Sequence, residues 1–148
     1  MIVVLLMFII AVLISSFCYT GSNIDSVGYI NKTLGFEIQN AYVICDYDAH
    51  GGFRGEGDRY IRIKVEDNDF EKRIKDSFDW CSEKTLDIKI VLQDIEEMVK
   101  KEGGELPEFK NAYYYMKEDT ELKGYPHYLL VIIYDRDAKE LHYYELDI

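Results

Sequence analysis

The period of the apolar residues changes from segment to segment along this chain, and the changes predict its elements. Ile2 to Ile14 is an unbroken apolar run of 13 residues, resuming after Ser15 and Ser16 as Phe17, Cys18 and Tyr19. From Asn40 to His50 the chain alternates, with Val43, Cys45 and Tyr47 on one face and Asp46, Asp48 and His50 on the other, as in a half-buried strand. Arg59 to Glu66 alternates again, with Ile61, Ile63 and Val65 inward and Tyr60, Arg62, Lys64 and Glu66 outward. Gly51, Gly52, Gly55 and Gly57 separate the two runs, which therefore read as a β-hairpin with a long glycine-rich loop.

Two helical patterns follow. Phe70, Ile74, Phe78 and Cys81 form a stripe that Asp67, Asn68 or Asp69 can cap. Ile88, Val91, Leu92, Ile95, Met98 and Val99 form a second stripe, ended by Lys100-Lys101 and Gly103-Gly104, which suit the helix dipole and a glycine stop. Lys110 to Lys117 is aromatic and strand-like, Tyr128 to Tyr134 is apolar on both faces, and Leu141 to Asp147 alternates once more. The Tyr128 segment reads as a central strand, and Asp135 to Lys139 as the hairpin turn after it. The expected fold class is α+β: an antiparallel sheet of about five strands with two helices on one face, preceded by an N-terminal signal or anchor helix.

The first charged side chain is Asp25. A run of 13 apolar residues has the length of a signal-peptide core, and 18 begin to reach across a bilayer. Three processings compete: cleavage between Cys18 and Gly21, retention as an anchor, or lipidation at Cys18, where Phe17 stands in place of the usual small residue. A buried core segment is the remaining alternative. The division expected is a signal or anchor over 1–20, a Ser-, Asn- and Gly-rich tether over 21–35, and one domain over 36–148. The tether contains a glycosylation sequon, Asn31-Lys32-Thr33. The domain is expected at the cell membrane, outside the cytoplasm, or secreted.

With 17 basic against 28 acidic side chains, the net charge is 17 − 28 = −11. Such a surface repels phosphate backbones, which argues against nucleic-acid binding and for a basic protein partner. Thirteen tyrosines exceed what so small a core needs and offer contact area with a polar tip.

Chemistry is sparse. Asp46, Asp48 and His50 share a strand face, with Glu56 and Asp58 nearby in the loop, and such a set can hold a divalent metal. As a calcium loop it fails at its twelfth position, Gly57. Cross-strand charge pairs explain the same residues if Asp46 faces Arg62 and His50 faces Asp58. A phosphate-binding use of the loop is disfavoured because a strand, not a helix, follows it. His127 and His142 have no neighbouring nucleophile and read as surface or packing residues. Cys45 and Cys81 both fall on faces assigned to the core and could bond in an oxidising compartment.

The loop runs Asp48-Ala49-His50-Gly51-Gly52-Phe53-Arg54-Gly55-Glu56-Gly57, and the chain closes with Tyr113-Tyr114-Tyr115, Ile133-Tyr134-Asp135-Arg136-Asp137 and Leu141-His142-Tyr143-Tyr144-Glu145-Leu146-Asp147. In these marks, over roughly residues 40–148, the chain resembles an uncharacterised family of small bacterial proteins. It departs from the family pattern at Arg54, where the family has a second histidine, and at Glu56, where it has aspartate. The resemblance implies a bacterial source and no reaction. The expectation is a non-enzymatic binding module without cofactor, using the loop of His50, Gly51, Gly52, Phe53, Gly55, Glu56 and Gly57. The alternative is a metal-dependent enzyme, such as a hydrolase, centred on Asp46, Asp48 and His50.

Overall fold

The computed structural model describes residues 23–51, 56–119 and 128–147. The expectations for residues 1–20, for Cys18, for Gly52, Phe53, Arg54 and Gly55, and for His127 lie outside the described residues.

Five strands form one antiparallel sheet: β1 (Ala41–Asp48), β2 (Gly57–Val65), β3 (Ala112–Asp119), β4 (Tyr128–Asp135) and β5 (Glu140–Asp147). Their spatial order is β1-β2-β5-β4-β3. The strand most central in the sheet is thus β5, with β4 beside it, although β4 is buried on both faces as its apolar sequence requires. The fold class is α+β.

The helices divide between the two faces, which corrects the expectation of two helices on one. Helix α1 (Asn23–Leu34) and helix α2 (Phe70–Ser77) cover one face, where Ile30, Leu34, Phe70 and Ile74 pack on Ile61, Ile63, Ile132 and Tyr143. Helix α3 (Leu86–Lys101) covers the other, where Ile88, Val91, Ile95 and Met98 pack on Tyr60, Val131, Ile133 and Tyr144. The physical reason is that β2, β4 and β5 present apolar or tyrosine side chains on both sides, so either face left bare would expose a core. Tyr60, expected outward, is fully buried beneath α3.

The expected tether is therefore helix α1. Asn31, in the sequon, has a structural role: its side-chain oxygen accepts from the main-chain N–H of Ile38 at 2.9 Å, fastening the connection to β1. Helix α2 ends at Ser77, before Phe78 and Cys81 of the expected stripe. Phe78 is extended and packs with Trp80 on Tyr115, and Cys81 pairs with Tyr114 as an isolated β-bridge on the edge of β3. Helix α3 is capped at its start by Thr85, whose side-chain oxygen accepts from Ile88 N, and stops in a Schellman turn. There Gly103 has φ +78° and donates to Lys100 O, while Gly104 donates to Val99 O.

Strand β1 carries a bulge. Val43 faces Ile63, Cys45 faces Arg62, and Ile44 is the extra residue between them. The bulge reverses the alternation, so Val43 joins the α1 face while Cys45 and Tyr47 join the α3 face. Asp46 consequently faces Ile61 and Asp48 faces Arg59, and the expected Asp46–Arg62 and His50–Asp58 pairs do not form. Cys45 and Cys81 are free thiols. Cys45 lies on the β1 edge and Cys81 beyond the β3 edge, five strand spacings or about 24 Å apart, far beyond the span of a disulfide.

Candidate functional site

One end of the sheet gathers the ends of β1 and β5 and the starts of β2 and β4. On the α1 side of that end, Asp46 is clamped by Arg59, whose Nε and Nη2 donate to the two carboxylate oxygens at 3.0 and 2.8 Å. The hydroxyl of Ser26 on α1 donates to Asp46 Oδ2 as well. The Arg59 guanidinium lies 4.8 Å above the Tyr29 ring, and the Asp46 hydrogen bonds, reinforced by the charges of Asp48 and Glu145, hold it even more firmly protonated than an ordinary arginine.

Tyr29 donates to both oxygens of Glu145 at 2.8 Å, and Tyr143 donates to Oε2 at 2.6 Å. Glu145 is only 3% exposed, so a carboxylate otherwise costly to bury is held by phenolic donors. Burial first, then Glu145, pushes the Tyr29 hydroxyl up to about 12, and the same two influences raise Tyr143 further. Both therefore stay protonated and keep donating at physiological pH.

Beyond this network Asp48 accepts from His50 twice, from its main-chain N–H at 3.0 Å and at its ring Nδ1, 2.7 Å away. Burial, the largest single influence, pushes the Asp48 carboxyl up. The two His50 hydrogen bonds and the charges of His50 and Arg59 together outweigh it and hold the group below its ordinary value. Tyr29, Asp48, His50, Arg59, Tyr128 and Glu145, with Asp147, line an open cleft of about 270 Å³. A second cleft of about 250 Å³ opens on the α3 side of the same sheet end and shares Asp48. Its walls include Asp58, Asp94, Glu97 and Glu102, with Lys101 as the one basic lining residue among the described residues.

The glycine-rich loop leaves this end of the sheet. Gly57 has φ +154°, and a Cβ there would meet His50 Cα at 2.7 Å and Ala49 O at 2.8 Å, so the return strand passes against the outgoing one with no room for a side chain. His50, Gly51, Glu56 and Gly57 are the members of the expected binding loop that fall among the described residues.

Asp46, Asp48 and His50 do not make a metal centre. The two oxygens of Asp46 are taken by Arg59 and Ser26, leaving only the Asp48–His50 pair, and among the described residues no three His, Cys, Asp or Glu side chains converge as ligands. His142, read as a surface or packing residue, is 1% exposed within the α3-side core.

Arg59, Glu145, Tyr29 and Ser26 were not among the sequence candidates. Glu145 sits in the quoted C-terminal motif, where the two preceding tyrosines are the only signal. Ser26 and Tyr29 were hidden by the tether reading of their segment. Comparison with family models, curated proteins and solved structures finds no match for the chain. Among the described residues no helix is long and apolar enough to cross a membrane.

Proposed function

We propose that this chain is a non-enzymatic binding module, held at a bacterial cell membrane by residues 1–20 with its domain outside the cytoplasm, whose acidic sheet end takes a basic protein partner. The observation that carries the reading is the pair of clefts meeting at Asp48. Among the described residues, the α3-side cleft sets Asp48, Asp58, Asp94, Glu97 and Glu102 against Lys101 alone, and on the α1 side the exposed Asp147 joins Asp48 beside Arg59, Glu145 being buried and held by Tyr29 and Tyr143. Arg59 is already committed to Asp46, so the surplus carboxylates are left for charge that arrives from outside. Tyr29 and Tyr128 in the walls add apolar contact with polar tips.

The test is capture of a partner from the host envelope by the immobilised chain, in low and high salt. Capture that weakens with salt and disappears in Asp58→Lys/Asp147→Lys, but persists in Glu66→Lys at the opposite end, is the expected result. Capture indifferent to the reversals at the cleft end would overturn the reading.

A hydrolase is the second reading, favoured by one observation, the Asp48–His50 hydrogen bond. A carboxylate that orients an imidazole at a cleft is part of a general-base device. Among the described residues no serine, threonine or cysteine lines that cleft, so none of them offers the imidazole such a nucleophile there. Turnover of small ester or phosphoester substrates that vanishes in His50→Ala, with the fold intact, would reverse the order of the two readings.

A further inference from the structure

Helix α1 runs antiparallel to β1 and β5. Ser26 meets Asp46 near the end of β1, Tyr29 meets Glu145 near the end of β5, and one turn later Thr33 meets Tyr143, two residues back along β5. The start of α1 therefore points toward the sheet end that carries the two clefts. At 1.5 Å per residue, Asn23 lies about 9 Å beyond Tyr29 along the helix axis, level with or just past the last residues of β1 and β5. In the sequence only Thr20, Gly21 and Ser22 separate Asn23 from Tyr19, where the apolar stretch ends. Three residues reach about 10 Å at full extension, little more than the thickness of one headgroup layer.

Helix α1 is not loosely attached. Ile30 and Leu34 are buried in the core, Ser26 is buried against an ion pair, and Tyr29 is hydrogen-bonded to a buried carboxylate. An element fastened at both ends of its length transmits its orientation to the sheet it lies on.

We propose that α1 is a rigid coupling that stands the domain on the bilayer, holding the sheet end with Asp48, His50, Tyr128 and Asp147 at the lipid headgroups and turning the β4–β5 turn outward. This rests on the membrane reading of residues 1–20. The strands are eight or nine residues long, so the Asp137 to Lys139 turn stands about 25 Å farther from the surface. Both clefts then open in the layer next to the membrane, and what enters them approaches along it. The coupling supplies this placement because the carboxylates at that end have no affinity of their own for an anionic or zwitterionic lipid surface.

The experiment uses the full chain reconstituted in phosphatidylcholine bilayers in which some headgroups carry a chelated gadolinium ion, and reads amide signals by NMR. The expected result is loss of the Asp48, Ala49, His50, Asp58 and Asp147 signals, with those of Glu66, Asp137 and Ala138 retained. A flexible Gly-Ser insertion between Ser22 and Asn23 should erase the gradient while the chain still sediments with vesicles, and a chain beginning at Ser22 should not sediment. A membrane-bound full chain whose amides fade uniformly, or fade first at Asp137, overturns the coupling alone. A full chain that stays in the supernatant overturns both the coupling and the membrane reading beneath it.

Discussion

The hydroxyl of Tyr60 on β2 lies 2.6 Å from Nδ1 of His142 on β5, and both side chains are all but sealed from solvent beneath α3. The Phe109 ring meets the imidazole edge to face at 4.7 Å; among the described residues Nε2 has no hydrogen-bond partner, and a carboxylate oxygen of Glu140, 3.8 Å away, is already held by Arg62. Burial first, then the Arg62 charge, pushes His142 down to about 3. The folded-state value thus lies below the unfolded value near 6.5, and protonation favours the unfolded chain. Stability from this group is complete above about pH 6.5 and is lost as pH falls toward 3, by up to about 1.4 kcal/mol per pH unit. Urea unfolding at pH 7.0 and 4.5 should show a smaller acid loss in His142→Gln than in the parent chain. Equal losses in the two would remove His142 as the acid-sensitive group.

The Asp46–Arg59 pair sits between α1 and the sheet, with side chains 6% and 16% exposed. Removing one member of a buried pair leaves the other charge without compensation. Asp46→Ala should therefore destabilise by about 3 kcal/mol, and Ser26→Ala, which removes a single donor, by about 1 kcal/mol. Hydrogen exchange should localise the change, with α1 amides opening sooner in Asp46→Ala while those of α3 keep their order of protection. A denaturation midpoint unchanged in Asp46→Ala would mean that the pair contributes nothing to docking α1.

Gly57 and Gly103 both have positive φ, but only Gly57 has backbone where a Cβ would go. Gly103→Ala meets open space and carries only the conformational cost of a left-handed residue, about 1 kcal/mol. Gly57→Ala must also push the His50 backbone aside, so its cost should exceed that of Gly103→Ala and should disturb the Asp48–His50 pair as well. Thermal melts of the two variants check the ordering, and the His50 ring signals in NMR check the local disturbance. Equal melts would show that the loop yields easily at this point.

The strands and α3 are legible in the sequence because each carries its own periodicity. Tyr128 to Tyr134 is apolar at every position, and the Ile88, Val91, Ile95, Met98 stripe ends in basic residues and two glycines. The bulge at Ile44 is not legible, since Ala41 to Asp48 contains no glycine or proline to mark it. One extra residue there moved the carboxylates of β1 under α1 and gave Asp46 to Arg59 rather than Arg62. Helix α1 was hidden for another reason. Its buried residues, Ser26, Ile30 and Leu34, do recur at helical spacing, but they are few and stand among Gly28, Asn31 and Thr33, a composition that reads as a linker. With α1 unseen, the network it completes around Glu145 could not be assembled. The facing apolar side of β4 did announce that a second layer had to exist.

Helix α1 makes the domain boundary testable. A domain beginning at Phe36, where the sequence pattern alone sets it, lacks α1, whereas one beginning at Ser22 keeps it. Ile30 and Leu34 are 0% and 5% exposed, and burial of each stabilises by about 2 kcal/mol. Val27 and Tyr29 pack on the same face, so the loss of the helix is of order 5 kcal/mol, comparable to the whole stability of many domains. The shorter chain also strands Arg59 and Asp46 at a bared face and exposes Ile61, Ile63 and Ile132, a patch that invites association. The chain from Ser22 should be soluble, should melt cooperatively and should show dispersed amide signals. The chain from Phe36 should aggregate or bind hydrophobic dyes without a cooperative melt. A cooperative melt from the Phe36 chain within a few degrees of the Ser22 chain would return α1 to the status of a tether and remove the basis for a rigid coupling to the membrane.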